Sequence, residues 1–281
     1  MKNNLILKAI ADAFTEDVGD GDHSSLACVP KEAIGKAKLI VKDEGVLAGI
    51  EIAEMVFSLY DKNLKFKQFL KDGDKIKYGD IAFEVEGSSQ SILACERLAL
   101  NIMQRMSGIA TKTAEVVSIV EGTKTKLLDT RKTTPNFRVF EKEAVRIGGG
   151  YNHRFALYDM IMLKDNHIDY AGGISEALSK TNNYLKAQCK SLKIEIEVRN
   201  FEELNQALKH RGFNRIMLDN FTPKELTKAL NIINGEFETE ASGGITEETI
   251  REYAETGVDY ISMGALTHQI KSLDLSLKAF L

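Results

Sequence analysis

Basic residues crowd one part of the chain, between Asp129 and His167: Arg131, Lys132, Arg138, Lys142, Arg146, His153, Arg154, Lys164 and His167. The protein carries 37 basic and 41 acidic residues, so this crowding runs against the overall sign and needs a reason. Pro135 and the run Gly148-Gly149-Gly150 interrupt the stretch, which predicts loops and not one solvated helix face. Arginine offers a planar fork for carboxylate or phosphate, and lysine a mobile point charge. Arg131, Lys132, His153, Arg154 and Lys164 together neutralise roughly three to five negative charges. The expected ligand is therefore multiply anionic, for example a dicarboxylate beside a phosphorylated sugar.

The elements that must position these residues follow a rhythm. Strand candidates appear at Lys126–Leu128, Asp159–Leu163, Ile194–Val198, Arg215–Leu218, Phe237–Glu240 and Tyr260–Met263. Helix-like segments lie between the later ones, at Ile174–Thr181, Phe201–Lys209, Pro223–Ile233 and Glu247–Glu255. Alternating strand and helix with short loops implies a parallel sheet, and this many units in tandem favours a barrel. Nearly every strand ends in a residue suited to chemistry: Asp129-Thr130-Arg131-Lys132, Lys164-Asp165, Glu197, Asp219-Asn220, Ser242-Gly243-Gly244 and Gly264-Ala265. Barrel active sites are built at that C-terminal face. A helix cap explains any one of them, Asp219 or Ser242 for instance, but their common register points to a single site. Glu197 and Asp219 have the wrong sign for an anion and fit magnesium held through water, or sugar hydroxyls. The turns Ser242-Gly243-Gly244 and Met263-Gly264-Ala265 fit a phosphate received on backbone amides.

Before this region the pattern is different. Leu5–Phe14 reads as a helix and runs into Glu16–Ser25, an acidic glycine-bearing loop that lacks the ligand spacing of a calcium site. Strands are expected at Ala37–Val41, Leu64–Phe69 and Ile81–Val85, with a helix within Gly45–Tyr60, which makes an α+β first domain. Ser91–Glu121 has helical periodicity that is interrupted at Ser107-Gly108. Within it Arg97 reads, on its own, as a surface arginine or a partner of Glu96.

Composition narrows the classes. With 281 residues, 43% apolar and 28% charged, the chain suits a soluble globular protein of one large domain or two. A net charge of −4 argues against non-specific nucleic-acid binding. Cys28, Cys95 and Cys189 are few, odd in number and far apart, which fits reduced thiols better than disulfides or a zinc site. No leader pattern and no membrane-length apolar run is apparent, so a cytoplasmic location is expected.

Several long motifs resemble the quinolinate phosphoribosyltransferase family, also called carboxylating nicotinate-nucleotide pyrophosphorylases. They are Asp129-Thr-Arg-Lys-Thr-Thr-Pro135, Gly148-Gly-Gly-Tyr-Asn-His-Arg154, Leu163-Lys-Asp-Asn-His167, Leu218-Asp-Asn-Phe221, Glu240-Ala-Ser-Gly-Gly244 and Gly257-Val-Asp-Tyr260. Glu16–Asp22, Glu96–Asn101 and Ser107–Thr111 resemble it too, so the likeness spans almost the whole chain. Asn136 and Phe137 depart from the family's frequent Gly-Leu, without removing a charged position.

The resemblance implies an α/β-sandwich domain over residues 1–108, with the tail 270–281 packing back on it. An incomplete α/β barrel of fewer than eight strands would follow over 109–269. It implies a reaction of quinolinate with phosphoribosyl pyrophosphate, helped by magnesium, giving nicotinate mononucleotide, pyrophosphate and carbon dioxide for NAD synthesis. Arg131, His153, Arg154 and Lys164 would line the quinolinate pocket with Thr130 beside them. Arg97 would arrive from the other subunit of a homodimer. Lys132 would lie between the two substrates, Glu197 and Asp219 on the ribose and magnesium side, and Ser242–Gly244 with Met263–Ala265 at the 5′-phosphate. Lys132, Lys164, Glu197 and Asp219 are the expected catalytic set. Three other readings stand beside this one: a paralogue associated with molybdate transport, a Schiff-base lyase acting through Lys164, and a non-catalytic anion-binding protein. His167 and His268 read as capping or core residues.

Overall fold

The computed structural model describes Lys2–Phe280 and resolves two compact units. The first takes the chain up to Glu115, Lys132–Gly150 and the residues from Ala265 on; the second takes Val116–Arg131 and Tyr151–Gly264. Lys132–Gly150 thus groups with the first unit and not with the barrel-forming segments that flank it.

The first unit begins with α1 (Lys2–Asp17) and α2 (His23–Cys28), followed by β1 (Ile34–Val41), β2 (Gly45–Val46) and α3 (Ile50–Tyr60). Then come β3 (Lys65–Gln68), β4 (Lys75–Ile76), β5 (Ile81–Ser88) and the long helix α4 (Ser89–Ile119), which runs on into the second unit. After the excursion through β6 (Lys126–Leu128), the chain returns with α5 (Arg138–Ile147). One antiparallel sheet has the order β12-β1-β5-β3, where β12 (Leu275–Phe280) is the last strand of the chain. Alternate β1 residues Ala37, Leu39 and Val41 are buried together with Phe83 and Val85 of β5, as a one-sided sheet requires. Phe57 of α3 closes over this face against Phe66 and Phe83, with ring centroids 6.0 and 5.9 Å away.

The interruption expected at Ser107-Gly108 is absent, and α4 is continuous through both residues. They are there for close approach. The Ser107 hydroxyl accepts from the Ala48 N–H (3.0 Å) and donates to the Ala48 carbonyl (3.2 Å), and the Thr111 hydroxyl accepts from the Val46 N–H (2.9 Å). The chain beside α4 therefore needs no strand partner at these positions. A Cβ on Gly108 would stand 2.3 Å from the Lys271 carbonyl oxygen. A second misreading concerns Arg138, Lys142 and Arg146, placed in loops by the glycines and proline around them. They lie on α5, where their four-residue spacing puts them on successive turns. Also on α5, the fully buried Glu141 receives Arg105 Nη2 (2.9 Å) together with the Thr134 backbone N–H (3.0 Å) and hydroxyl (2.9 Å). That carboxylate thereby anchors the loop leading out of Lys132.

The second unit is a six-stranded parallel sheet in the order β6-β11-β10-β9-β8-β7. Its further strands are β7 (Ile161–Leu163), β8 (Ile194–Val198), β9 (Arg215–Asp219), β10 (Glu238–Ser242) and β11 (Tyr260–Ser262). The connections carry α6 (Asp165–Ala171), α7 (Ile174–Ala187), α8 (Phe201–His210), α9 (Pro223–Ile233) and α10 (Ile250–Glu255). A short helix, α11 (Ala265–His268), belongs to the first unit. Read as a ring, the strand order is the chain order, and the seam falls between β6 and β7. There Tyr151 alone bridges to Leu128, with its N–H on the Leu127 carbonyl at 2.8 Å. His153, two residues on, reaches Glu195 of β8 and Glu240 of β10, so the sheet is rolled around this segment. The strand count matches the short barrel implied by the resemblance. Good caps stop the helices cleanly: Asn200 accepts from the Glu203 N–H at 2.9 Å, and Thr222 with Glu225 forms a capping box at α9.

Gly108→Ala tests the close approach on α4. Alanine is the better helix former by about 1 kcal/mol, yet the collision with a backbone carbonyl is expected to destabilise the protein by about 1–3 kcal/mol net. Thermal unfolding measures it, and an unchanged or raised Tm would show that the Lys271 carbonyl moves aside freely.

Candidate active site

Within the second unit the residues beyond the strand ends share one rim. Asp129, immediately after β6, is fully buried. Its carboxylate accepts from the His153 backbone N–H (2.8 Å) and from Asn152 Nδ2 (2.7 Å). This clamp fixes the turn that presents Arg154, whose Nη1 donates to the Met160 carbonyl at 3.1 Å. Arg154 is half-buried, and burial first and the nearby Arg131 second pull its pKa below the usual arginine value. Two guanidinium groups kept close in a partly dry place repel each other, and a bound anion relieves both effects.

Lys164 stands just past β7, with Nζ 3.3 Å from Glu197 Oε2. Burial raises the Glu197 pKa above the ordinary carboxylate value; Lys164 opposes the shift and Asp219 adds to it. Asp219 ends β9, and its two oxygens accept from the Ser242 hydroxyl (2.7 Å) and Asn220 Nδ2 (2.6 Å). Gly243 and Gly244 follow Ser242 with φ of 91° and 63°, a left-handed pair that glycine adopts without strain. A Cβ on Gly243 would meet Asn220 Oδ1 at 2.3 Å and the Asn220 nitrogen at 2.8 Å, so only glycine fits beneath that loop.

The expected residues thus fall in two groups. Thr130, Arg131, His153, Arg154, Lys164, Glu197, Asp219, Ser242, Gly243, Gly244, Met263 and Gly264 belong to the second unit. Met263 is buried and donates its N–H to the Leu128 carbonyl at 3.0 Å, which makes it a support for the rim. Arg97, Lys132 and Ala265 belong to the first unit. Lys132 is exposed, and its carbonyl accepts from the Thr267 hydroxyl at 2.7 Å. Arg97 is exposed on α4, in line with Leu93 and Asn101, and among the described residues it forms no ion pair with Glu96. His167 caps α6: its Nδ1 accepts from the Lys164 N–H at 3.1 Å. In the acidic loop, Asp22 accepts from the Ser25 N–H at 3.2 Å and serves as the N-cap of α2.

Below the rim, His153 meets two glutamates to which the sequence reading gave no role. Glu195 and Glu240 are fully buried, and His153 Nε2 is 3.0 Å from Glu195 Oε2 and 3.5 Å from Glu240 Oε2. Arg215 Nη1 is 3.1 Å from Glu240 Oε2, and the Arg215 guanidinium lies 4.0 Å from the Tyr260 ring centroid. Burial pushes both carboxyl groups above their ordinary pKa, and repulsion from Glu195 adds to the rise at Glu240. Among the described residues these three, His153, Glu195 and Glu240, form the one group whose ligand atoms converge as a metal site requires. Arg215 already supplies a cation there. The signal for this set was available: Glu195 and Glu240 each precede a rim residue by two positions, on the same strand face.

Comparison with known proteins then bears on the whole chain. A family model described as the quinolinate phosphoribosyl transferase N-terminal domain matches residues 22–107, and its C-terminal counterpart matches 109–278. A tobacco (Nicotiana tabacum) protein named quinolinate phosphoribosyltransferase [decarboxylating] 1b is 43% identical over 95% of this chain and 80% of its own. A Bacillus subtilis protein named probable nicotinate-nucleotide pyrophosphorylase [carboxylating] is 43% identical over 98% of this chain and 94% of its own. Among solved structures, NadC from Streptococcus pyogenes is similar with a TM-score of 0.90 at 42% identity, covering 96% of this chain and 94% of that one. The nicotinate-nucleotide pyrophosphorylase from Francisella tularensis also gives 0.90, at 38% identity over 99% and 97%. With both of its domain models matched in order and relatives of this likeness along nearly its full length, the chain belongs to the quinolinate phosphoribosyltransferase family.

Proposed function

We propose that this protein is a decarboxylating quinolinate phosphoribosyltransferase. It joins the phosphoribosyl group of phosphoribosyl pyrophosphate to quinolinate and yields nicotinate mononucleotide, pyrophosphate and carbon dioxide, the step by which de novo synthesis reaches NAD. The observation that carries the reading is the rim itself. Arg131, Arg154 and Lys164 share the rim with Glu197 and Asp219, and the Gly243-Gly244 turn follows Ser242, which donates to Asp219. A dicarboxylate satisfies the cations, and a phosphorylated ribose satisfies the carboxylates and the glycine turn.

In the reaction the pyridine nitrogen forms a bond to the sugar C1 as the C1–oxygen bond to pyrophosphate breaks, through a transition state with oxocarbenium character. The ring becomes cationic. The carboxylate next to the nitrogen then departs as carbon dioxide, its bonding electron pair remains on the ring carbon, and a proton from water replaces it. No side-chain nucleophile is required. Positioning and preorganised charge supply the acceleration: Arg131 and Arg154 grip the dicarboxylate, Lys164 bridges towards the sugar, and Glu197 and Asp219 face the ribose. A monocarboxylate would leave part of this positive charge without its partner, which selects against it. Lys164 lies against the Glu197 carboxylate, an ion-pair geometry suited to holding charge and not to attack on a carbonyl.

Glu197 and Asp219 also fit magnesium held through water. The donor set is oxygen only, Glu197 is largely desolvated, and each Asp219 oxygen retains acceptor capacity beyond its one hydrogen bond. When bound, the ion offsets the charge of the pyrophosphate leaving group. A cytoplasmic homodimer completes the proposal. Its support is the exposed α4 line of Leu93, Arg97 and Asn101, which leaves an arginine on the surface of this chain. No helix among the described residues is long and apolar enough to cross a membrane.

The primary test is release of carbon dioxide from quinolinate with and without phosphoribosyl pyrophosphate; release that ignores the donor, or none at all, refutes the reading. Arg154→Ala is expected to lower kcat/KM for quinolinate at least about a hundredfold, at roughly 3 kcal/mol for a lost charged bidentate contact, with Tm little changed. Near-normal kcat/KM would remove Arg154 from the site. Chelation of divalent ions should stop turnover and added magnesium restore it; full activity in excess chelator argues against the ion. Finally, Arg97→Ala and Arg154→Ala proteins, each inactive, are mixed and allowed to exchange subunits. About a quarter of wild-type activity should return if each site draws on two chains of a twofold dimer, whereas no recovery would place both residues in one chain's site.

A further inference from the structure

His153 is the one expected ligand-pocket residue whose ring faces the interior of the rolled sheet. Its Nδ1 accepts a hydrogen bond from the Arg154 backbone N–H at 2.7 Å. A ring nitrogen that accepts carries no proton, so the single proton of the neutral imidazole sits on Nε2. That nitrogen faces the Glu195 and Glu240 carboxyl groups at 3.0 and 3.5 Å, an electrostatic contact and not an aligned hydrogen bond. A neighbouring pair of carboxylates would ordinarily favour an imidazolium, but the Arg154 N–H occupies the Nδ1 lone pair. The local turn and the buried pair together select one tautomer.

We propose that Glu195 and Glu240 are positioning residues for the quinolinate half of the site, acting through His153, whose Nε2 edge they attract inward and whose Nδ1 fixes the backbone that carries Arg154. The proposal rests on the functional reading above. Four contacts define that backbone: Asp129 on the His153 N–H and on Asn152, His153 Nδ1 on the Arg154 N–H, and the Met160 carbonyl on the Arg154 guanidinium. Three of them are made within or next to the turn. The His153 ring connects it to the centre of the sheet, through Glu195 on β8 and Glu240 on β10, and the Arg154 charge is attracted by Glu195 as well. Arg215 holds the same carboxylates from below and is itself secured by Glu238 at 3.2 Å. The order of contacts is Arg215, the glutamate pair, His153, then Arg154. A metal ion among the three ligand atoms is the competing use of this cluster, and the Arg215 guanidinium already meets that demand for positive charge.

Nitrogen-15 NMR of the imidazoles reads the first link directly in the unmodified protein, with His153 assigned among five histidines by the signal missing in His153→Gln. The expected spectrum at neutral pH has a protonated Nε2 and a pyridine-like Nδ1. An Nδ1–H tautomer or an imidazolium overturns the proposal, whatever the variants do. Kinetics read the second link. Glu195→Met, close in volume but with no acceptor, is expected to raise KM for quinolinate roughly ten- to a hundredfold, as displaced positioning groups do. KM for phosphoribosyl pyrophosphate should stay within about twofold of normal on the same argument. Glu195→Gln, which keeps an acceptor oxygen, should restore the quinolinate KM. Equal losses for both substrates, or no rescue by glutamine, would reduce the cluster to a merely structural role and overturn the assignment. If Glu195→Met does not fold, Glu240→Met gives the same comparison, because Arg215 keeps Glu238. Should the unmodified protein release no carbon dioxide from quinolinate, the functional reading falls alone, and the His153 spectrum still decides the geometry.

Discussion

A parallel sheet offers its concave face only every second residue, and neighbouring strands in register stack those positions into layers. Here the constraint sets the site. Glu195 pairs in register with Arg215, and Arg215 with Glu238; two residues on, Glu197 pairs with Met217, and Met217 with Glu240; the last layer pairs Asp219 with Ser242. Glu197 on β8 and Ser242 on β10 therefore each stand over a buried glutamate, whereas Asp219 on β9 stands over Met217, with Arg215 one layer lower. Buried carboxylates are costly unless they are met by charge or hydrogen bonds. Arg215, stacked on Tyr260, is the group that makes such a floor tolerable. The rim stands on an interior that is rich in ionisable groups where most barrels are apolar.

The first unit uses polar residues for a different end. Ser107 and Thr111 on α4 satisfy the backbone of the segment carrying Val46 and Ala48, and Glu141 on α5 gathers Arg105 and Thr134. In each case a helix side chain accepts from a backbone N–H outside its own helix, so that chain lies against the helix without an orphaned amide there. Both devices hold chain at or beyond the ends of regular elements. The Glu141 cluster steadies the residues immediately following Lys132, while Asp129 steadies those preceding Arg154.

Much of this was legible from residue order, and the failures have physical causes. Strands β6 and β8 and helix α9 lie where periodicity and caps placed them, because short apolar runs between good stop signals leave little choice. Rim residues followed from strand ends. Helix α5 was missed because glycines and proline on either side outweighed the four-residue spacing of Arg138, Lys142 and Arg146. Ser107-Gly108 was misread because a helix glycine that admits a neighbouring carbonyl looks, in sequence, like one that ends a helix. Glu195 and Glu240 escaped because inward charge reads as solvated charge until the register is known. For His153 the residue type announced chemistry, but the direction of its ring depends on a clamp by Asp129 that no local pattern encodes.

The antiparallel pairing of β12 with β1, Leu275 against Val41 through Phe280 against Lys36, has a consequence for how the protein assembles. The first sheet takes one of its strands from the far end of the described chain, so it cannot be completed while the ribosome is still producing the parallel unit in between. Contacts of such sequence separation slow folding and leave an open strand edge meanwhile. Lys36 and Lys38 on β1 bring charge to that waiting edge, a common protection against pairing with the wrong chain. The domain encoded first is in this respect the domain finished last.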